Sequence, residues 1–353
     1  MRLALVGNWP RPYGGVAVHV ASLARALRAR GEDVSVIDIG EGQHDDRGVR
    51  RVRGPVGYGA ALARLSVEGR LVHVHTSGAN VKSWLVALGA GRVRLPGQPR
   101  AVLTLHSGSA PAFLRARPGH RRLAAAACAP FGRVVAVNGE IAAELAASGV
   151  PPGRVAVLAP FFPGMIEARR APAGLAAFRA AHAPLIAAAI SPGPIYGADL
   201  LLPAFAALRR RHPRAGLAAF GARTDAELRG EGVLGLGELD HDEALAVLEA
   251  ADVFVRPTRA DGDAVSVREA LSLGCRVVAS DVGHRPAPCL LFPAGDAEAL
   301  AERLIAACDA PPPEAAPREA DPLEVLVATY RALWSEASGD GAAEGAAARA
   351  GSR

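Results

Sequence analysis

Residues 252–281 read as a strand, a loop, a helix and the start of a second strand, and a chain built on this alternation closes its backbone hydrogen bonds in a largely parallel sheet with helices on its faces. Val253 to Val255 form the first apolar run, Pro257 to Asp263 carry turn chemistry, and Ala264 to Leu273 have helical spacing that stops at Gly274 before Arg276 to Ala279 resume as strand. Asp261 then lies in the loop at a strand's carboxyl end, and Glu269 sits about one and a half turns into the helix. Open α/β sheets bind ligands at the carboxyl ends of their strands, where a helix N-terminus offers amides and a positive dipole end to phosphate. Carboxylates accept hydrogen bonds from vicinal hydroxyls, so one acid can hold a ribose and the other a hexose. The segment suits a sugar nucleotide.

The same alternation runs through the chain. Arg2 to Val6 is a strand, followed by a loop with glycines at 7, 14 and 15 and a helix from Val16 to about Arg30. Those glycines do not fit the G-x-G-x-x-G fingerprint, which argues against a dinucleotide dehydrogenase. Further strands are expected at Asp33 to Ile39, Leu71 to His75, Ala101 to Leu105, Arg133 to Val137 and Val155 to Leu158. A cluster of breakers from Pro151 to Pro172 marks a domain boundary, after which come the strand Pro184 to Ile190, a loop to Gly197 and a helix from Ala198 to Arg211. With 353 residues and 50% hydrophobic content, two domains can each bury a core. The expected division is 1–163, 164–318, a helix at 319–337, and a Gly/Ala-rich unpatterned tail at 338–353 expected to be disordered.

The acid-x7-acid element, Asp261-Gly262-Asp263-Ala264 ending at Glu269, resembles glycosyltransferase family 4, the retaining group 1 enzymes, in which it usually reads Glu-Gly-Phe-Gly, four residues, Glu. Gly14-Gly15, Thr104-Leu-His106-Ser-Gly108, Gly235 to Asp240 and the Pro-x-Gly-Asp ending at Asp296 resemble further elements of that family. The resemblance implies an α/β GT-B fold, two Rossmann-like doubly wound domains facing a cleft, with an N-terminal acceptor domain and a C-terminal nucleotide-sugar domain. It implies that Glu269 binds the nucleotide ribose and Asp261 the transferred sugar. Gly262 and the amides near Ala264, Val265 and Ser266 would meet the diphosphate, Gly14 and Gly15 would let backbone approach the donor, and His106 would lie near the sugar. The partners implied are a nucleotide-sugar donor and a glycan or lipid-linked acceptor, with no cofactor and no bound metal.

One element of the family is missing. It has Gly-Arg before the first loop of the second domain and Lys-Gly at its end, two cations for the departing diphosphate. Here those positions fall on Ile190, Ser191, Tyr196 and Gly197, and the single lysine of the chain is Lys82. Arg223, Arg256, Arg259, Arg268 and Arg285 are candidate substitutes. Arg259, two residues before Asp261, is the choice on chain proximity. Asp261-Gly-Asp263 has a metal-like spacing without supporting ligands, and His73 and His75 share one strand face with no third ligand at suitable spacing, so both are read without a metal.

The four cysteines show no C-x-x-C spacing and fit buried thiols in a reducing compartment. The sequence opens on a core strand and has no apolar run of eighteen residues, so a cytoplasmic location is expected. A net charge of +5 with arginine clusters at 115–122 and 209–214 fits either solvated helix faces or peripheral contact with anionic lipid at the inner face of the membrane. No aromatic-basic surface for nucleic acid is present. Taking the missing cations at face value gives the alternative of a non-catalytic nucleotide-binding subunit, and a sugar-nucleotide epimerase is disfavoured by the acid pair.

Overall fold

The computed structural model describes residues 1–42, 46, 48–166, 169–310 and 320–338. The Pro-rich segment 311–317 and the tail from 339 lie outside them. The chain forms two compact units, one of Met1–Phe162 with the C-terminal residues from Asp321, the other of Pro163–Ala320.

The first unit carries β1 (Arg2–Gly7), β2 (Asp33–Asp38), β3 (Val49–Arg51), β4 (Leu71–Thr76), β5 (Val102–Leu105), β6 (Arg133–Ala136) and β7 (Val155–Val157). They form a sheet in the order β3-β2-β1-β4-β5-β6-β7, every pairing parallel. The second unit carries β8 (Leu185–Ala189), β9 (Gly216–Phe220), β10 (Val233–Gly235), β11 (Val253–Arg256), β12 (Arg276–Ser280) and β13 (Leu290–Phe292). Their order is β10-β9-β8-β11-β12-β13, again parallel throughout. Both sheets are doubly wound. The strand order reverses between β1 and β4 in one unit and between β8 and β11 in the other, and at such a point the loops part and leave a crevice.

Burial on both faces explains the sequence of the strands. In β8, Ile186 and Ala188 join one hydrophobic cluster while Leu185 and Ala187 join another on the opposite face. A strand covered on both sides reads as a continuous apolar run, as Leu185–Ala189 does. The helix Gly15–Ala29 buries Val20, Leu23, Ala24 and Leu27 at helical spacing, together with His19. The C-terminal helix Pro322–Ser338 belongs to the first unit and buries Leu323, Leu326, Val327, Tyr330 and Leu333. Among the described residues no helix is long and apolar enough to cross a membrane.

Candidate functional site

The crevice of the second unit is lined by the loops that follow β8 and β11. After the buried run Val253 to Val255, Pro257 ends the strand and the chain turns through Asp261 into the helix Val265–Ser272. One carboxylate oxygen of Asp261, Oδ2, accepts from Arg256 Nε at 3.0 Å, from Arg285 Nη1 and Nη2 at 3.2 Å each, and from the Thr258 hydroxyl at 3.2 Å. Arg285 is almost fully buried, with 2% of its side chain exposed, and its Nε donates to the Ser280 carbonyl at 3.0 Å. Burial alone would raise the Asp261 pKa, but the Arg256 and Arg285 guanidiniums outweigh it and hold the carboxyl below the usual range. The result is a half-buried carboxylate with two cations and one surplus positive charge.

Two glycines make the loop possible. Gly283 has φ +66°, and a Cβ there would lie 2.4 Å from the carbonyl oxygens of both Asp261 and Gly262. Gly197 has φ +70°, and its Cβ would fall 2.0 Å from the Pro257 carbonyl oxygen. In both places the left-handed backbone and the close approach exclude a side chain. The His284 amide donates to the Gly262 carbonyl at 2.7 Å and fastens the turn.

Asp263 does not share this environment. It forms a bidentate pair with Arg268, both bonds 2.7 Å, with both residues buried. Glu269 is 4% exposed, and its Oε1 lies 2.6 Å from Nε2 of His241, the first residue of the helix His241–Ala250. That helix starts at a capping box, in which the Glu243 carboxylate accepts from the Asp240 amide at 3.0 Å. Gly262, Ala264 and Val265 are buried at the entrance to the helix Val265–Ser272, and Ser266 is half-buried.

Arg259 has a different set of partners. Its guanidinium forms bonds of 2.9 and 2.6 Å to Asp199 and a further one to the Pro194 carbonyl. Arg256 ends β11, and Arg285 follows a turn that folds back onto the same loop. The Arg256 guanidinium also lies 5.9 Å from the centre of the Tyr196 ring and donates to the Ala189 carbonyl at 3.3 Å. A cation therefore stands against Tyr196, at the end of the loop where sequence reading found the lysine missing.

In the first unit, imidazoles gather at the carboxyl ends of β4 and β5. His73 and His75 are both buried within β4. His73 is satisfied on both sides, by the Tyr330 hydroxyl at 2.6 Å and the Thr104 hydroxyl at 2.7 Å. His75 Nδ1 lies 3.1 Å from Nε2 of His106, while His19 Nδ1 lies 2.8 Å from the Pro160 carbonyl. Burial lowers the His19 pKa to about 4, an effect partly offset by the Pro160 bond, and holds His73, His75 and His106 well below the usual imidazole value. All four are neutral near pH 7. His19 and His241 had no local signal in the sequence, since each acquires its role from a partner distant along the chain.

Gly14 and Gly15 begin the helix after β1, with extended backbone at Gly14 and nothing within 4 Å of a Cβ at either. Asn138 caps the helix Gly139–Ala147, its side chain accepting from the Ile141 amide at 2.9 Å. In the arginine clusters, Arg115 pairs with Glu140 and Glu144, Arg121 with Glu144, Arg209 with Glu231 and Arg211 with Asp309.

The sequence matches the family model of group 1 glycosyl transferases over residues 184–309 and that of Glycosyltransferase Family 4 over residues 13–162. Among solved structures, the chain is similar to Anabaena HepE in complex with UDP-glucose, at 16% identity over 96% of this chain and 93% of that one, with a TM-score of 0.64. It is similar to the UDP-forming α,α-trehalose-phosphate synthase of Burkholderia xenovorans in complex with glucose-6-phosphate, at 16% identity over 88% and 93% of the two chains, with a TM-score of 0.60. A third likeness is to the lipopolysaccharide outer core galactosyltransferase WaaB, at 12% identity over 87% and 90%, with a TM-score of 0.55. At these identities the likeness is one of fold. No curated protein sequence matches the chain.

Proposed function

Since the chain belongs to the family 4, group 1 glycosyltransferases, we propose that it moves a sugar from a nucleoside diphosphate donor to a glycan or lipid-linked acceptor, with retention and without a metal at the diphosphate. The observation that carries this reading is the convergence of Arg256 and Arg285 beside the N-terminus of the helix Val265–Ser272, at the switch point of the second sheet. As the bond from sugar to diphosphate breaks, negative charge grows on the leaving group. Preorganised cations and helix amides stabilise that charge without reorganising, and removing one such group typically costs roughly 3–4 kcal/mol of transition-state stabilisation.

In this reading Arg256, stacked against Tyr196, and Arg285 do the work of the absent arginine and lysine. Asp261 holds both guanidiniums in place and presents its other oxygen to the transferred sugar. Glu269, oriented by His241, accepts from the ribose hydroxyls, and Gly262, Ala264, Val265 and Ser266 supply close backbone to the phosphates. Arg259, engaged by Asp199, is assigned no catalytic part. The first unit takes the acceptor, with Gly14 and Gly15 leaving backbone open to a ligand and His106 offering a neutral imidazole to a sugar hydroxyl. UDP-sugars are the first donors to try, because the HepE complex contains UDP-glucose. A lipid-linked acceptor would bring the enzyme to anionic membrane, where the arginines of residues 115–122 would meet headgroups.

Release of nucleoside diphosphate from a panel of nucleotide sugars, with wild type and Arg285→Gln, tests the proposal. Slow release by wild type, depressed roughly 100-fold or more in the variant, supports it. Donor binding with no release under any acceptor mixture would favour the non-catalytic nucleotide-binding reading, and conversion of one nucleotide sugar into another would favour an epimerase.

A further inference from the structure

Four histidines meet in the first unit, and their hydrogen bonds separate them into one and three. His73 spends both nitrogens on Tyr330 and Thr104. The rings of His19, His75 and His106 form a nearly equilateral triangle, with centroids 5.3, 5.1 and 5.4 Å apart. Each can offer one nitrogen such that the three lie within 4.8 Å of one another. Nitrogens on a tetrahedral ion at about 2.0–2.1 Å stand roughly 3.3 Å apart, with ring centroids about 5 Å apart. The His75 Nδ1 to His106 Nε2 separation of 3.1 Å is already close to that value.

We propose that His19, His75 and His106 form a binding site for one borderline divalent cation, Zn2+ or a close analogue, with a further coordination position for water or a substrate oxygen. Three imidazoles are a donor set that Zn2+ and its neighbours favour over the oxygen-seeking Mg2+ and Ca2+. The tautomer of His19 is fixed, because a carbonyl can only accept: Nδ1 carries the proton given to Pro160, and the neutral ring keeps its lone pair on Nε2. A histidine ligand held through its other nitrogen by a backbone carbonyl is the usual support for such a site. His75 is 1% exposed, and its Nε2 has no hydrogen-bond partner. That nitrogen can carry the proton of the neutral ring, which leaves the lone pair of Nδ1, 3.1 Å from His106 Nε2, for an ion. His106 is half-buried and gives the cluster a side open to an entering ion. This site is separate from the Asp261-Gly-Asp263 spacing, whose carboxylates are both held by arginines, and it does not depend on the donor reading above.

Untagged protein stripped with a chelator and titrated with Co2+ tests the site. The expected result is intense visible absorption of low-coordinate cobalt that saturates at one ion per chain and is discharged by Zn2+. His19→Asn and His75→Asn should abolish it, while His120→Asn, whose ring stacks on Phe113 away from the cluster, should keep it. Zn2+ should also raise the wild-type Tm in a concentration-dependent way, a readout that needs no variant to fold. Absent saturable absorption together with an unmoved Tm would overturn the proposal. So would bands that survive in both folded variants, or thiolate charge-transfer bands placing the ion on cysteine.

Discussion

The two sheets place titratable groups at the carboxyl ends of their central strands, and they manage the cost of burying them in opposite ways. The first unit removes the charge: His19, His73, His75 and His106 are neutral, bonded to one another, to hydroxyls and to a carbonyl. The second keeps its charges and compensates them, with Asp261 between Arg256 and Arg285 and Asp263 against Arg268. Neutral imidazoles suit hydroxyls and a metal ion. Compensated ion pairs with surplus positive charge suit a diphosphate, whose oxygens can take over guanidinium bonds that a carboxylate now holds.

Acid should separate the two units most strongly. A histidine whose folded pKa is depressed binds fewer protons folded than unfolded, so stability is lost as pH falls through the window from about 6.5 towards the folded value, about 4 for His19. Each buried histidine contributes up to about 1.4 kcal/mol per pH unit there. Asp261, depressed below its usual 3.8, contributes stability that is lost only as pH falls below that value. All three tryptophans lie in the first unit. Tryptophan fluorescence in urea at a series of pH values should therefore show the first unit weakening between pH 6.5 and 4. A flat profile there would break the comparison.

Next in size is Arg285→Ala, which leaves the half-buried Asp261 with one guanidinium and should cost about 3 kcal/mol in denaturant unfolding of the second unit. Arg259→Ala, removing an exposed pair with Asp199, should leave the midpoint near wild type. Equal effects would mean that Arg285 has no special place. Smaller again, Gly283→Ala should cost roughly 1–3 kcal/mol and weaken donor binding by displacing the Asp261 loop, since the new Cβ meets two carbonyls on a left-handed backbone. Wild-type thermal stability in that variant would show that the loop yields freely.

Much of the architecture was legible because buried parallel strands are written as local apolar runs bounded by Gly and Pro, as at Leu185–Ala189 and Val253–Arg256. Strands of three residues such as Val49–Arg51 and Val233–Gly235 are too short for any period to show. The acid pair was legible for the same reason as the strands, since Asp261 and Glu269 belong to one loop and helix. Which arginines bond to Asp261 is not legible from nearness along the chain. Arg285 reaches Asp261 because Gly283 folds a distant turn onto the loop, whereas Arg259, two residues away, is drawn to Asp199. The third imidazole beside His75 and His106 comes from His19, on a helix after a different strand, and only the sheet order brings it there.

The most direct measurement is calorimetric titration of UDP and UDP-glucose, followed by other nucleoside diphosphates and their sugars, into wild type and Glu269→Ala. Loss of two charge-assisted hydroxyl bonds is worth roughly 3 kcal/mol, so a nucleotide that binds wild type should bind the variant about 100-fold more weakly. Equal affinity in the two proteins would contradict the placement of the donor at Asp261, Arg256, Arg285 and Glu269.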